Sequence, residues 1–165
     1  GSLDAADELG APVVGLEPWQ SHTLDDVTVT ALPGRHGPRV LESRIGPVTG
    51  FLVTAPGHPS LYVSGDNSSL ALVHQHAARF GPVDIAILFA GAARVSPIPV
   101  ALTLTSKKAA DAARMLGARR VVGVHVEDWA HFSESRADLE KAFADAGLAS
   151  LLVDSPRGER VAIEL

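Results

Sequence analysis

Two short apolar runs joined through a helical segment restrict this chain more than any other feature. Residues 83–89 (Val-Asp-Ile-Ala-Ile-Leu-Phe) are apolar apart from Asp84, and residues 120–124 (Arg-Val-Val-Gly-Val) repeat the pattern. Neither run alternates, as expected of strands covered on both faces rather than one. Helical spacing over residues 106–116, closed by Gly117, separates them. A helical crossover is what a parallel pair requires, so the two runs are expected side by side in one sheet of an α/β fold. A single helix layer covers one sheet face only. Strands this apolar would not leave the other face wet, so that face needs a partner.

The elements around this pair follow from local signals. Residues 27–32 (Val-Thr-Val-Thr-Ala-Leu) carry the two-residue period and β-branched content of a strand, stopped by Pro33-Gly34. Residues 35–47 hold prolines, glycines and charges and read as a loop, whereas residues 3–25 are mixed and yield no element. Residues 49–54 and 60–64 form a hairpin across Ala55-Pro56-Gly57-His58-Pro59. Asn67-Ser68-Ser69 supplies cap candidates for a helix whose Leu70, Val73, Ala77 and Phe80 share one face, ended by Gly81-Pro82. A third helix is expected over 135–146, where Ser135 and Asp138 are spaced as a capping box. Two closing strands are expected at 150–153 and 160–164, around a turn at Pro156-Arg157-Gly158.

Composition narrows the chemistry. At 165 residues the chain reads as one domain over 3–165. Gly1-Ser2 reads as the scar of a cleaved tag or the start of a processed product, because the single methionine is Met115. The absence of cysteine removes disulfides, thiolate metal sites and cysteine nucleophiles. A net charge of −5 without basic clusters argues against nucleic acid and anionic membrane as partners. No apolar run reaches membrane-spanning length and no signal peptide opens the sequence, so a cytoplasmic location is expected.

Three side chains could carry chemistry together. His36 lies just past the end of the 27–32 strand, Asp66 just past the 60–64 strand, and His125 directly after the 120–124 run. Strand ends on one edge of a sheet are where α/β folds gather ligands. Two imidazoles and a carboxylate form part of a coordination set for zinc, manganese or iron. Each residue alone also has an ordinary reading, as a loop histidine, a turn aspartate before a helix and a strand-capping histidine. His74 and His76 are two apart on a helix and point away from each other, which argues against a metal pair there. His22 and His58 read as solvated. His131 follows His125 closely and is a candidate for substrate contact or for supporting the site, with a surface loop as the alternative. Arg35 and Arg39 flank His36 and could meet an anion, or could be a solvated basic pair. No Gly-x-Ser-x-Gly elbow supports a serine triad.

The segments 31–38 (Ala-Leu-Pro-Gly-Arg-His-Gly-Pro), 61–67 (Leu-Tyr-Val-Ser-Gly-Asp-Asn) and 121–132 (Val-Val-Gly-Val-His-Val-Glu-Asp-Trp-Ala-His-Phe) resemble consecutive signatures of the metallo-β-lactamase superfamily. The branch they resemble is the L-ascorbate-6-phosphate-lactonase-like hydrolases, and the resemblance runs over about residues 27–165. It implies the C-terminal half of an αβ/βα sandwich: a mixed sheet with helices on one face. It also implies His36, Asp66 and His125 as metal ligands, with Asp66 bridging two metal ions and acting in catalysis. The reaction implied is hydrolysis of an ester, lactone, amide or phosphodiester by hydroxide formed at a divalent metal: zinc, with manganese or iron as alternatives.

The family's first signature, His-x-His-x-Asp-His, is absent from this sequence. The expectation is therefore the C-terminal portion of a metal-dependent hydrolase, acting on a small-molecule substrate when intact and inactive alone. The competing expectation is a non-catalytic half-fold that self-associates. Either way the chain is expected to pair, as a homo-oligomer or with the missing N-terminal half.

Overall fold

The computed structural model describes residues 13–41, 46–127 and 129–165. The proposed tag scar at Gly1-Ser2 lies outside them. Six strands form one sheet in the order β1-β2-β3-β4-β5-β6: β1 Ser21–Leu24, β2 Val27–Gly34, β3 Val48–Thr54, β4 Leu61–Val63, β5 Ile85–Phe89 and β6 Arg120–Val124. The pairings from β1 to β4 are antiparallel, whereas β4–β5 and β5–β6 are parallel. The helices are α1 Leu70–Phe80, α2 Ser106–Leu116 and α3 Arg136–Asp145. The mixed α/β sheet is the expected architecture, and the two apolar runs lie parallel within it.

Local chemistry closes the helices where the sequence indicates. Ser69, Thr105 and Ser135 accept from backbone N–H groups in the first turns of α1, α2 and α3. Ser135 and Asp138 form a reciprocal capping box, and Gly117 ends α2 in the left-handed conformation.

Two regions differ from expectation. Residues 150–153 are not a strand. Ala149–Leu151 is a 3-10 turn, and Leu152 meets the sheet through a single parallel bridge to Val121. Leu148, Leu151 and Leu152 all pack on the core from this turn. An alternating strand would send Leu151 and Leu152 to opposite faces. Residues 160–164 form no ladder, although the Arg120 Nε–H donates to the Glu164 carbonyl oxygen at 2.7 Å. In the other direction, β1 carries no apolar alternation because all four of its residues are exposed. Hydroxyl pairs hold it to β2, Ser21 to Thr30 at 2.8 Å and Thr23 to Thr28 at 2.9 Å.

The sheet has two unlike faces. Leu32, Leu52, Tyr62, Ala86, Leu88 and Val121 point to the helices and join Val73, Leu116, Leu139 and Phe143 in the core. The strand registers set Phe51 opposite Val63, Val53 opposite Leu61, Ile87 opposite Val122 and Phe89 opposite Val124 on the other face. Every one of these eight side chains remains partly or largely exposed. Residues 13–16 border that face beside Thr49 and Phe51. This apolar face lies away from the helices.

Candidate metal centre

The ends of β2, β4, β5 and β6 converge on one rim. After β4 the chain turns at Gly65 with φ of 54°, where a Cβ would stand 2.6 Å from the Thr49 carbonyl oxygen. A glycine is therefore required, and the turn delivers Asp66 above the sheet. The Ser64 hydroxyl accepts from the Phe89 N–H at 3.0 Å and donates to the Gly65 carbonyl at 2.8 Å, which pins the ends of β4 and β5 together.

Residues 66–69 then clamp the loop that carries His36. Asn67 is fully buried. Its Oδ1 accepts from the Arg35 N–H and the Ser69 N–H, each at 3.0 Å. The Ser68 hydroxyl accepts from the Gly37 N–H at 2.9 Å and donates to the Arg35 carbonyl at 3.0 Å. Both chain neighbours of His36 are thus fixed to the residues that follow Asp66. From the sequence, Asn67 and Ser68 had only a capping role, which Ser69 alone fills. Three consecutive residues able to bond backbone after Gly-Asp exceed what one helix cap needs, and that surplus was the available signal.

The imidazole of His36 donates from Nδ1 to the Asp66 carbonyl oxygen at 3.0 Å and lies 4.0 Å from the Asp66 carboxylate. A backbone carbonyl on Nδ1 fixes the tautomer and leaves the Nε2 lone pair for a ligand. His125 lies directly after β6 with φ of 59°, a left-handed conformation that side chains other than glycine adopt at a cost. Its Nδ1 stands 3.5 Å from the Asp66 Oδ1. The ring is held edge-on to Phe132, with centroids 4.3 Å apart, and beside Phe89 at 5.2 Å. Gly91 makes room for it, because a Cβ there would collide with the His125 carbonyl oxygen and press on the Phe132 ring.

Burial lowers the His125 pKa, and the positive potentials of His131 and His36 act in the same direction against the opposing pull of Asp66. Burial, the largest effect, favours the neutral imidazole that a metal requires, and the Asp66 carboxylate opposes it. His131 packs edge-on against Phe132 at 4.8 Å, so it stands one ring removed from His125.

The structure therefore brings His36, Asp66 and His125 together and leaves the other histidines apart. His22 lies on exposed β1, and His58 and His74 are exposed. His76 is buried within the helix layer with both ring nitrogens bonded, to the Tyr62 hydroxyl and the Pro33 carbonyl oxygen, each at 3.1 Å.

A divalent cation can be tested against the trio on the atoms left over. Asp66 Oδ1 and His125 Nδ1 are buried and make no hydrogen bond. Buried polar atoms without partners carry a desolvation cost, and two of them facing each other across a carboxylate–imidazole gap suit a cation. The donor set, one oxygen and two imidazoles, suits zinc and its neighbours. Among the described residues no group of three or more His, Asp or Glu side chains already stands close enough to hold an ion. The trio fits part of such a centre, in donor chemistry and in its unpaired atoms.

Comparison with known proteins bears on the same segments. The family described as the beta-lactamase superfamily domain matches residues 2–126, a span that holds His36, Asp66 and His125. The chain belongs to the metallo-β-lactamase superfamily. A metal-dependent hydrolase of Pyrococcus abyssi is 27% identical over 136 residues, covering 82% of this chain and 56% of that protein. A metal-dependent hydrolase of Pyrococcus furiosus is 24% identical over 143 residues, 87% of this chain and 59% of its own length. The chain thus spans little more than half of these superfamily relatives.

Solved structures share the fold. An isothiocyanate hydrolase from Delia radicum gut bacteria superposes with a TM-score of 0.82 at 20% identity, covering 98% of this chain and 63% of that one. A metallo hydrolase of Ignicoccus hospitalis superposes with a TM-score of 0.77 at 19% identity, covering 99% and 66%. Among the described residues no helix is long and apolar enough to cross a membrane.

Proposed function

We propose that this chain contributes His36, Asp66 and His125 to the metal centre of a hydrolase. The carrying observation is the unpaired Asp66 Oδ1 facing the unpaired His125 Nδ1, with His36 held beside the same carboxylate. Family membership and the metal-dependent hydrolases among its relatives support the reading. His36, Asp66 and His125 would hold a divalent ion, zinc with manganese or iron as alternatives, and such an ion would supply Lewis acidity and a nucleophilic hydroxide for hydrolysis of an ester, lactone, amide or phosphodiester. Asp66 presents two oxygens and is the residue suited to bridge a pair of ions. His36 is oriented by its bond to the Asp66 carbonyl, and burial lowers the pKa of His125. The aromatic wall of Phe89 and Phe132 excludes water from one side of the imidazole.

Three donors do not complete a two-ion centre, so the reading draws further ligands from outside this trio. Zinc calorimetry on the 165-residue protein tests it. Weak but saturable binding, lost in Asp66→Ala, is expected of an incomplete ligand set; equal affinity in wild type and variant contradicts it.

A second reading rests on the open sheet face. Phe51, Val53, Leu61, Val63, Ile85, Ile87, Phe89, Val122 and Val124 share it, a contiguous apolar set of which Phe51 is exposed and the others half-buried. Here the half-fold covers this face with a second copy and serves assembly rather than catalysis. Light scattering separates the readings: a dimer dispersed by Ile87→Glu without zinc affinity favours the second, and a zinc-binding monomer the first.

A further inference from the structure

His36 and His125 are held by different means. A hydrogen bond to the Asp66 carbonyl oxygen fixes the His36 ring. The buried Nδ1 of His125 makes no hydrogen bond, so packing sets the direction of its ring, most closely against Phe132 with centroids 4.3 Å apart and planes at 62°. An imidazole turns readily about its outer torsion unless neighbours stop it, and such a turn would swing Nδ1 away from Asp66. Whatever fixes Phe132 therefore fixes this ring.

Phe132 lies outside every helix and strand, yet its backbone is bonded at three consecutive residues. The Phe132 N–H donates to the Trp129 carbonyl at 3.0 Å, and the His131 carbonyl accepts from the Arg94 N–H at 2.7 Å. The Ser133 N–H donates to the Gly91 carbonyl at 3.1 Å. Next to Gly91, the Ala90 N–H donates at 3.0 Å to the carbonyl of Val124, the residue before His125. Imidazole and phenyl ring thus hang from one frame, joined at Gly91, where an added methyl group would meet both.

Two side chains lock that frame. The Ser133 hydroxyl donates to the Ala92 carbonyl at 2.7 Å and accepts from the Arg94 Nε–H at 3.1 Å. The Arg94 Nη1–H donates to the Pro99 carbonyl at 2.8 Å. A guanidinium presents its donors in a fixed planar fork, so Arg94 braces Ser133 and Pro99 together. Both side chains belong to exposed residues that water could satisfy, and they instead join segments 41 residues apart in sequence.

We propose that Ser133 and Arg94 are positioning residues for the metal centre, acting through Phe132 to aim the His125 ring at Asp66. The role rests on the proposed reading of His125 as a metal ligand. It parallels the clamp on His36: in each case the chain neighbours of the ring are fastened to a distant segment by a serine hydroxyl.

NMR on chelator-treated protein reads the ring directly. The Phe132 ring current displaces the His125 ring-proton resonances, and nuclear Overhauser contacts join the two rings. Ser133→Ala and Arg94→Ala should each move those resonances toward the values of a solvated histidine and weaken the contacts, with the His76 ring signals unmoved. Zinc affinity should fall by about tenfold in both, the scale on which groups behind a metal ligand act. Ser133→Thr keeps the hydroxyl and should restore ring signals and affinity. His125 signals unmoved in both alanine variants overturn the proposal, as does failure of Ser133→Thr to restore what Ser133→Ala loses. A shift that includes His76 marks general loosening and also overturns it, and so does a moved His125 ring with unchanged zinc affinity. The ring signature is read without metal, so wild-type protein that binds no zinc counts against the metal-ligand reading alone and leaves the link from Ser133 to His125 standing.

Discussion

His76 and His125 both place an imidazole against aromatic rings, and their surroundings differ in every other respect. His76 is 2% exposed inside the helix layer. Its Nε2–H donates to the Pro33 carbonyl, and its Nδ1 accepts from the Tyr62 hydroxyl. Burial pushes its pKa down to about 4, and each nitrogen has a partner supplied by the fold. His125 sits at a strand end in a left-handed conformation, with Nδ1 buried and unbonded beside an equally unbonded carboxylate oxygen. The first is complete within the described structure; the second is shaped for something additional. Hydrogen-bond satisfaction, rather than burial or residue type, separates a structural histidine from a candidate ligand.

The comparison breaks most readily at His76. His76→Ala leaves a cavity and strands the Tyr62 hydroxyl, and should lower stability by about 2–4 kcal/mol in urea denaturation. A comparable loss is expected at the rim only from Gly91→Ala, which drives a methyl group into the His125 carbonyl. It should cost about 2–3 kcal/mol by thermal or urea melts and weaken zinc binding as well, because the strand end must move.

Acid sharpens the contrast. The unfolded chain protonates His76 near the ordinary value of 6.5, whereas the folded protein resists until about pH 4. The unfolded state therefore binds more protons between those limits, and stability falls as pH drops through that window. The loss should approach about 3 kcal/mol near pH 4 and show no His76 contribution above pH 7. Urea midpoints across pH 4–8 check this, and His76→Gln should flatten the slope.

The smallest effect on stability belongs to the rim. His125→Asn keeps a residue that tolerates positive φ and should change stability by less than about 1 kcal/mol. Zinc affinity should nevertheless fall by at least about tenfold, the scale of a lost metal-site interaction. Calorimetry and urea melts on the same variant separate the two quantities.

Much of this contrast is legible in the chain itself. The positions of His36, Asp66 and His125 at strand ends follow from the alternation over 27–32 and the apolar runs, and the family signatures name the same residues. The environment of His76 is not legible, since its partners Pro33 and Tyr62 lie 43 and 14 residues away on two different strands. The clamp by Asn67 and Ser68 was hidden for the same reason: their short-range capping potential masks bonds across more than thirty residues. Strand β1 is not legible in the sequence, because hydroxyl pairs rather than apolar burial hold it. Residues 150–153 look like a strand by composition, yet three leucines reach the core from a tight turn.

Zinc titration followed through imidazole NMR resonances addresses the metal assignment at atomic sites. Added zinc should shift the ring signals of His36 and His125, leave those of His76, His22 and His58 in place, and lose its effect in Asp66→Ala. Shifts confined to exposed histidines such as His74, with His36 and His125 unmoved, would contradict a metal centre at this rim.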